Sequence, residues 1–185
     1  AMSDFENIPV EIKQRDQWLF WNASNDTPRA PLDSAAATYG CSWSDPDTWM
    51  AFDDVAEEAK ATPNAGIGYV NAADNDDYAR GIVGSIDIDG IAEEAHGSPK
   101  DWLPSLQPFF DEDAYIEHSP SGTGLHIPLV GFEPPEWWSN VHLSEDEHEG
   151  VEAYGSKFFT FTGDQVRRAG DAVAAAGEYV DDWLL

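Results

Sequence analysis

Residues 81–90 read Gly-Ile-Val-Gly-Ser-Ile-Asp-Ile-Asp-Gly, an apolar run that ends in two aspartates separated by one isoleucine. Side chains at positions i and i+2 of a β-strand point to the same face, so a strand here projects Asp87 and Asp89 together and turns Ile86 and Ile88 towards a core. The two aspartate Cα atoms would lie roughly 6.5–7 Å apart, which lets both carboxylates bind one Mg²⁺ or Mn²⁺ or flank a pair of metal ions. The competing interpretation is a strand that runs out into an acidic turn.

The length and composition predict one domain over residues 1–185, or one domain made of two packed modules, and we expect it to be located in the cytoplasm. Of the 185 residues 12% are aromatic and eight are tryptophan, so the chain is able to bury a core despite its charge. No apolar run approaches the ~20 residues of a membrane span, and no leader resembles a signal peptide, so we expect no membrane partner. The single cysteine, Cys41, excludes an internal disulfide and a cysteine-based zinc site.

The net charge is the most unusual property of the chain. Lysine and arginine number 9 and aspartate and glutamate number 36, which gives a formal net charge of −27. Self-repulsion of this size destabilises a compact state at ordinary ionic strength, whereas at molar salt a Debye length of ~3 Å screens it. We therefore predict a halophilic protein; the alternative is an acidic inhibitor that mimics DNA. High acidity normally argues against nucleic-acid partners, but this argument weakens where a whole proteome can be acidic.

Hydrophobic periodicity predicts an α+β fold. It predicts strands at 17–22, 66–70, 114–117 and 125–130, a strand that ends at Asp89, and a hairpin of 150–154 with 157–162. It predicts helices over 49–59, capped by Asp45 or Asp47, and over 91–96, 101–110 and 171–184, whereas 25–37 and 132–149 are expected to be loops. Because strands outnumber helices and meet in hairpins, we expect a largely antiparallel or mixed sheet.

Two further stretches carry residues suited to chemistry. Residues 119–127, Ser-Pro-Ser-Gly-Thr-Gly-Leu-His-Ile, form a Ser/Gly turn that opens a strand bearing His126. Glycines let the backbone approach a ligand closely, and small hydroxyls with free N–H groups suit phosphate oxygens. The alternative is an ordinary hairpin turn with a half-buried histidine. Residues 150–154, Gly-Val-Glu-Ala-Tyr, place Glu152 within an apolar strand, where a lone acid is usually a solvated surface residue.

These stretches, in this order, resemble the archaeo-eukaryotic primase superfamily, in particular the primase-polymerase branch of archaeal plasmids, archaeal viruses and phages. The family carries hydrophobic-Asp-hydrophobic-Asp as its first motif, Ser-x-His as its second, and an acid after a hydrophobic residue as its third. Asp87 and Asp89 match the first motif. His126 matches the second, with Gly124 in the place of the serine, and Glu152 matches the third. Three motifs in order are more specific than any one alone.

The resemblance, over about residues 18–163, implies a primase-polymerase catalytic fold with mixed or antiparallel sheets, an RRM-like module and flanking helices. It implies a DNA-directed nucleotidyltransferase in which Asp87, Asp89 and Glu152 are catalytic and bind Mg²⁺ or Mn²⁺. The residues implied for binding nucleoside triphosphate are His126, Ser121, Gly122, Lys157 and Arg29. The implied partners are a DNA template and primer, nucleoside triphosphates and a helicase domain or protein, and the chain is then expected to be part of a longer replication protein.

The chain departs from the family at Lys157, where an arginine is common, and in its few basic residues. These departures leave open a catalytically degenerate module that binds nucleotide or DNA for an attached helicase. A glycosyltransferase-type Asp-x-Asp site is a further alternative, although it explains neither the histidine turn nor the Phe-Thr-Phe-Thr-Gly sequence at residues 159–163. A rolling-circle endonuclease is excluded because its motif needs a second histidine, where this chain has Pro128. Trp137 and Trp138 are expected to stack on single-stranded template or to lie in a buried lid.

Overall fold

Two sheets dominate the part of the chain that the computed structural model describes, residues 4–71, 82–130, 141–142, 150–154 and 157–175. The strands are β1 (Trp18–Asn22), β2 (Ala65–Asn71), β3 (Ile82–Asp89), β4 (Glu117–His118), β5 (Leu125–Val130), β6 (Val141–His142), β7 (Gly150–Tyr154), β8 (Lys157–Phe161) and β9 (Ala174–Ala175). The helices in these ranges are α1 (Val10–Lys13), α2 (Phe52–Ala61) and α3 (Gln107–Asp111), with 3₁₀ turns at Phe5–Asn7 and Pro46–Thr48. The predicted α+β class is confirmed.

The first sheet has the antiparallel order β1-β2-β8 and packs against α2. Trp18 lies fully buried at the centre, with its ring edge-on to Phe52, Tyr69 and Phe161 at centroid distances of 5.2, 5.4 and 5.5 Å. Such aromatic pairs stabilise a core by ~0.5–1.5 kcal/mol each beyond their burial. The residues of α2 that face this core recur at helical spacing: Phe52, Val55, Ala56 and Ala59.

The second sheet has the order β4-β5-β3-β7-β6, and β9 joins it parallel to β5. One face is apolar, because Ile86, Ile88, Ile127 and Val151 are fully buried there in a core that includes Phe109 of α3. The predicted alternation in β3 is confirmed, since these isoleucines flank half-buried Asp87 and Asp89. The opposite, polar face of the sheet therefore presents the aspartates.

The predicted helix at 91–96 is wrong. These residues form bends and turns. Their backbone N–H groups bond outside the segment, from Ile91 to the Thr123 carbonyl at 2.8 Å and from His96 to the Gly122 carbonyl at 3.0 Å. The Ser/Gly turn that precedes β5 thus accepts backbone hydrogen bonds from both ends of this segment and holds it in an irregular conformation.

The predicted helix at 171–184 is also wrong where it falls on described residues. Ala172 exchanges backbone hydrogen bonds with Tyr115 and Asp113, at 2.7 and 3.1 Å, and Ala174 pairs with Leu129 as part of β9. Pairing with the second sheet therefore overrides the local helical periodicity. Residues 176–185 lie outside the described ranges.

Several boundaries differ from the prediction. Asp45 caps the 3₁₀ turn, by accepting the Asp47 N–H at 3.0 Å, whereas α2 begins later, at Phe52 after Ala51. The helix expected over 101–110 is reduced to α3, because Pro104 interrupts the segment. The loop expected over 132–149 contains β6, which pairs with β7; the rest of it lies outside the described residues. No helix in the described ranges is long and apolar enough to cross a membrane.

Candidate active site

Four ionisable side chains form one row across the second sheet. Asp87 in β3 is paired with His126 in β5 on one side and with Glu152 in β7 on the other. His126 is in turn paired with Glu117 in β4. Residues directly opposite one another on neighbouring strands project to the same face, so all four side chains lie opposite the isoleucine core. The three predicted motifs meet in the middle of this sheet.

Asp87, Asp89 and Glu152 form a half-buried carboxylate cluster. One oxygen atom from each residue lies within 4.8 Å of the other two. Within the described residues, Asp87 Oδ1 is buried and has no hydrogen-bond partner. Leaving a buried polar atom unsatisfied costs ~1–3 kcal/mol, and more when the group is charged. Hard cations such as Mg²⁺ and Mn²⁺ prefer carboxylate oxygens, so the three residues fit the predicted divalent ion.

The electrostatics of this cluster favour occupation by a cation. Burial, reinforced by the charges of Asp89 and Glu152, raises the pKa of Asp87 from its ordinary value of 3.8 to about 6. His126 and Lys157 oppose the shift, because their positive charges favour the carboxylate. Without a cation, the ionised form of Asp87 is therefore destabilised. A divalent cation would compensate for the lost hydration of this carboxylate and for its repulsion from Asp89 and Glu152.

His126 is held between two acids. The residue is 4% exposed, its Nδ1 lies 3.0 Å from Glu117 Oε1, and its Nε2 lies 3.5 Å from Asp87 Oδ1. The Phe159 ring in β8 packs on the imidazole with a centroid distance of 4.6 Å. Burial is the largest single influence on the pKa of His126 and lowers it, but the hydrogen bond to Glu117 and the charge of Asp87 raise it above its ordinary value on balance. The imidazolium form, which donates from both nitrogens, is thereby favoured.

A cavity of about 180 Å³ opens beside this row. It is lined by Arg29, Asp87, Asp89, Ser119, His126, Lys157, Phe158, Phe159 and Thr160. The structure therefore brings predicted cationic and acidic site residues from four separate parts of the chain to one opening. Arg29 has a φ of 68°, in the left-handed region that non-glycine residues rarely adopt.

The Ser/Gly turn at residues 119–124 positions the start of β5 beside the end of β3. The Ser119 hydroxyl accepts the Gly124 N–H at 3.0 Å, and a Cβ at Gly124 would lie only 2.6 Å from the Ile88 carbonyl oxygen. Gly124 thus lets the start of β5 approach the aspartate end of β3. Ser121 and Gly122 do not line the cavity: Ser121 is exposed and lies 3.1 Å from the Ser119 hydroxyl, and Gly122 packs against residue 95. Their part in nucleotide binding stays a prediction.

Glu117 is the site residue that the sequence did not reveal. It is fully buried and accepts hydrogen bonds from the Tyr115 hydroxyl at 2.6 Å and from the backbone N–H groups of Thr162 and Gly163, each at 2.9 Å. His126 Nδ1 is its fourth partner. The one signal in the sequence is that Tyr115 and Glu117 fall on the same face of a predicted strand, which says nothing about partners distant in the chain.

A comparison with protein-family models finds no match, and neither does a comparison with curated protein sequences. Trp137 and Trp138 lie outside the described residues, so their predicted stacking role stays a prediction.

Proposed function

We propose that this protein is the catalytic domain of a DNA primase-polymerase, which transfers nucleotides from nucleoside triphosphates to a template-directed primer. The observation that carries the proposal is the row of Glu152, Asp87 and His126 on three neighbouring strands. These residues belong to three motifs that are far apart in the sequence, and their resemblance to the primase-polymerase motifs was based on residue types and order alone. Their convergence on one face of the sheet, where Asp87 and His126 line one cavity and Glu152 lies beside Asp87, supports a shared chemical role.

In this proposal the carboxylate cluster of Asp87, Asp89 and Glu152 holds Mg²⁺ or Mn²⁺. When bound, such ions activate the primer 3′-hydroxyl and stabilise the pyrophosphate leaving group. The contribution of the chain is a fixed set of acids: two lie on one strand and the third lies on its hydrogen-bonded neighbour. Because the strands set their spacing before any ligand binds, little rearrangement is required.

The cationic side of the cavity would hold the triphosphate. Lys157 and Arg29 supply positive charge at its edge, and His126 presents Nε2 near Asp87. Charge-assisted hydrogen bonds to phosphate oxygens are about twice as strong as neutral ones. Lysine acts as a point charge where an arginine would grip two oxygens, so Lys157 orients the phosphates less strictly.

The test is template-directed nucleotide incorporation in molar potassium chloride with Mg²⁺ or Mn²⁺. The high salt screens the net charge of −27, in keeping with the proposed halophilic origin. The variant is Asp87→Ala/Asp89→Ala, and the matched control is Glu57→Ala/Glu58→Ala, which removes two adjacent exposed acids from α2. We expect incorporation by the wild type and the control, and none by the site variant. Incorporation that persists without Asp87 and Asp89 would refute the proposed catalytic centre.

A degenerate binding module is the second candidate function, and the scarcity of positive charge at the cavity favours it. Among the described residues that line the cavity, Arg29 and Lys157 are the lysine or arginine side chains. A folded wild type that binds Mn²⁺ and triphosphate but incorporates no nucleotide under any of these conditions would support this candidate over the enzyme.

A further inference from the structure

We propose that Glu117 is a positioning residue, which fixes His126 so that its Nε2 faces the incoming triphosphate. The proposal rests on the proposed function for the identity of that ligand. The hold of Glu117 on His126 rests on the hydrogen bonds of the structure alone.

Every polar direction of the Glu117 carboxylate is occupied. Oε1 is shared between His126 Nδ1 at 3.0 Å and the Thr162 N–H at 2.9 Å. Oε2 is shared between the Tyr115 hydroxyl at 2.6 Å and the Gly163 N–H at 2.9 Å. The side chain is fully buried, so water does not compete for these contacts. Because four hydrogen bonds hold the carboxylate, its orientation is fixed. The hydrogen bond to Nδ1 in turn fixes the orientation of the imidazole of His126.

The contact determines what His126 presents to the cavity. An acceptor at Nδ1 keeps a proton on that nitrogen, and therefore leaves Nε2 as the ring atom directed towards Asp87 and the opening. The Phe159 ring packs against the imidazole at a centroid distance of 4.6 Å and so limits the space in which the imidazole can rotate. Carboxylate partners of this kind usually orient a histidine that contacts a ligand with its second nitrogen.

The same carboxylate joins the histidine strand to the end of β8. Thr162 and Gly163 follow β8 directly, and Lys157 at the other end of β8 lines the cavity. Glu117 therefore links His126 to the strand that carries Lys157. A purely structural role for this link would stabilise the fold without acting through His126, so the experiment must separate the two roles.

The first measurement is the location of the imidazole proton, by two-bond ¹H–¹⁵N correlation in ¹⁵N-labelled protein, with His126→Asn used to assign the signal. We expect a proton on Nδ1 in the wild type. It should persist in the control Tyr115→Phe, which removes a different hydrogen bond from Glu117, and exchange faster with solvent in Glu117→Gln, because one neutral amide oxygen replaces two carboxylate oxygens as the acceptor for four donors. A wild-type His126 without a proton on Nδ1 would overturn the proposal, even if Glu117→Gln fails to fold.

The second measurement is a double-mutant cycle on inorganic triphosphate binding by calorimetry, with Mg²⁺ in molar potassium chloride. We expect Glu117→Gln to weaken binding by about 10–100-fold, the range found when a metal-binding histidine loses its carboxylate partner. In a His126→Ala background the same change should cost less than about twofold, since coupled residues are not additive. Equal weakening in both backgrounds would contradict the proposal and indicate a structural role. A wild type that binds no triphosphate would contradict the proposed function, whereas the Nδ1 proton would still decide whether Glu117 holds His126.

Discussion

His126 Nε2 and Asp87 Oδ1 lie 3.5 Å apart on directly paired positions of β5 and β3. This separation is short enough for strong electrostatic attraction but longer than a good hydrogen bond. The Asp87 oxygen is consequently buried without a hydrogen-bond donor among the described residues. A cation or donor that reaches this oxygen would supply the missing partner.

Asp87→Asn should stabilise the metal-free protein at pH 7.5. The pKa of Asp87 is raised to about 6, so its contribution to stability is fully present below its ordinary pKa of 3.8 and is lost as the pH rises through 6. A pKa raised this far corresponds to an expected gain of ~2–3 kcal/mol for the variant at pH 7.5, which should vanish near pH 4. Urea unfolding with a chelator, at both pH values and in molar potassium chloride, measures it. Asp53→Asn, at an exposed acid, is the control, and a variant less stable than the wild type at pH 7.5 would contradict the raised pKa.

Divalent metal binding should weaken as the pH falls through 6. Metal ligation requires the ionised carboxylate, so protons and metal ions compete for Asp87 below its raised pKa of about 6. Calorimetric titration with Mn²⁺ between pH 7.5 and 5, in two buffers of different ionisation enthalpy, should show weaker binding and proton release at the lower pH. Asp87→Ala/Asp89→Ala should show no binding at either pH. An affinity that stays constant over this range would rule out Asp87 as the titrating ligand.

Lys157→Ala should weaken triphosphate binding by about 10-fold or more, because a hydrogen bond to a charged group contributes ~1.5–3 kcal/mol. Lys157→Arg should retain binding or tighten it, since the guanidinium can bind two phosphate oxygens. Calorimetry with inorganic triphosphate measures both variants. Lys60→Ala is the matched control. Lys60 lies in α2, forms an ion pair with Glu6 at 2.9 Å and does not line the site cavity. Equal affinities for Lys157→Ala and Lys60→Ala would remove Lys157 from the site.

Gly124→Ala should destabilise the fold by ~1–3 kcal/mol, as overpacking a tight position does. The new methyl group would lie 2.6 Å from the backbone carbonyl oxygen of Ile88. A backbone atom in a strand cannot move aside as the end of a flexible side chain can. Gly40→Ala is the control, since its nearest neighbour, the Pro31 oxygen, is at an ordinary 3.5 Å. Equilibrium unfolding in urea compares the two variants. Equal stabilities would show that the β3–β5 contact yields more easily than the structure indicates.

Sequence periodicity was sufficient to predict an element, and the face on which its side chains lie, wherever the local pattern of apolar and polar residues determined both. Strict alternation in β3 predicted that Asp87 and Asp89 share a face, and the acid in β7 was identifiable because apolar residues flank it. The helices at 91–96 and 171–175 failed for the opposite reason. The backbone of residues 91–96 bonds to the turn before β5. The backbone of residues 171–175 bonds to residues 113 and 115 and pairs with residue 129 in β5. Local spacing carries no information about such partners.

Glu117 shows the same limit at a single residue. A glutamate at the end of a predicted strand is usually exposed, and nothing nearby in the sequence distinguishes this one. Its burial depends on the backbone of Thr162 and Gly163, which the fold brings to it from 45 and 46 residues away. Only the tertiary structure supplies enough donors to make a buried acid stable at this position.

The central position of β3 in the second sheet has a consequence for how the protein folds. β3 carries two of the acids, and it is hydrogen-bonded on one side to the histidine strand and on the other to the Glu152 strand. β3 and β7 must therefore be paired before the three carboxylates come together, and a pairing this distant in sequence forms slowly because a long loop must close first. An ion bound by these carboxylates would hold β7 in register on β3, so the rate of Mn²⁺ uptake during refolding should report when this pairing forms.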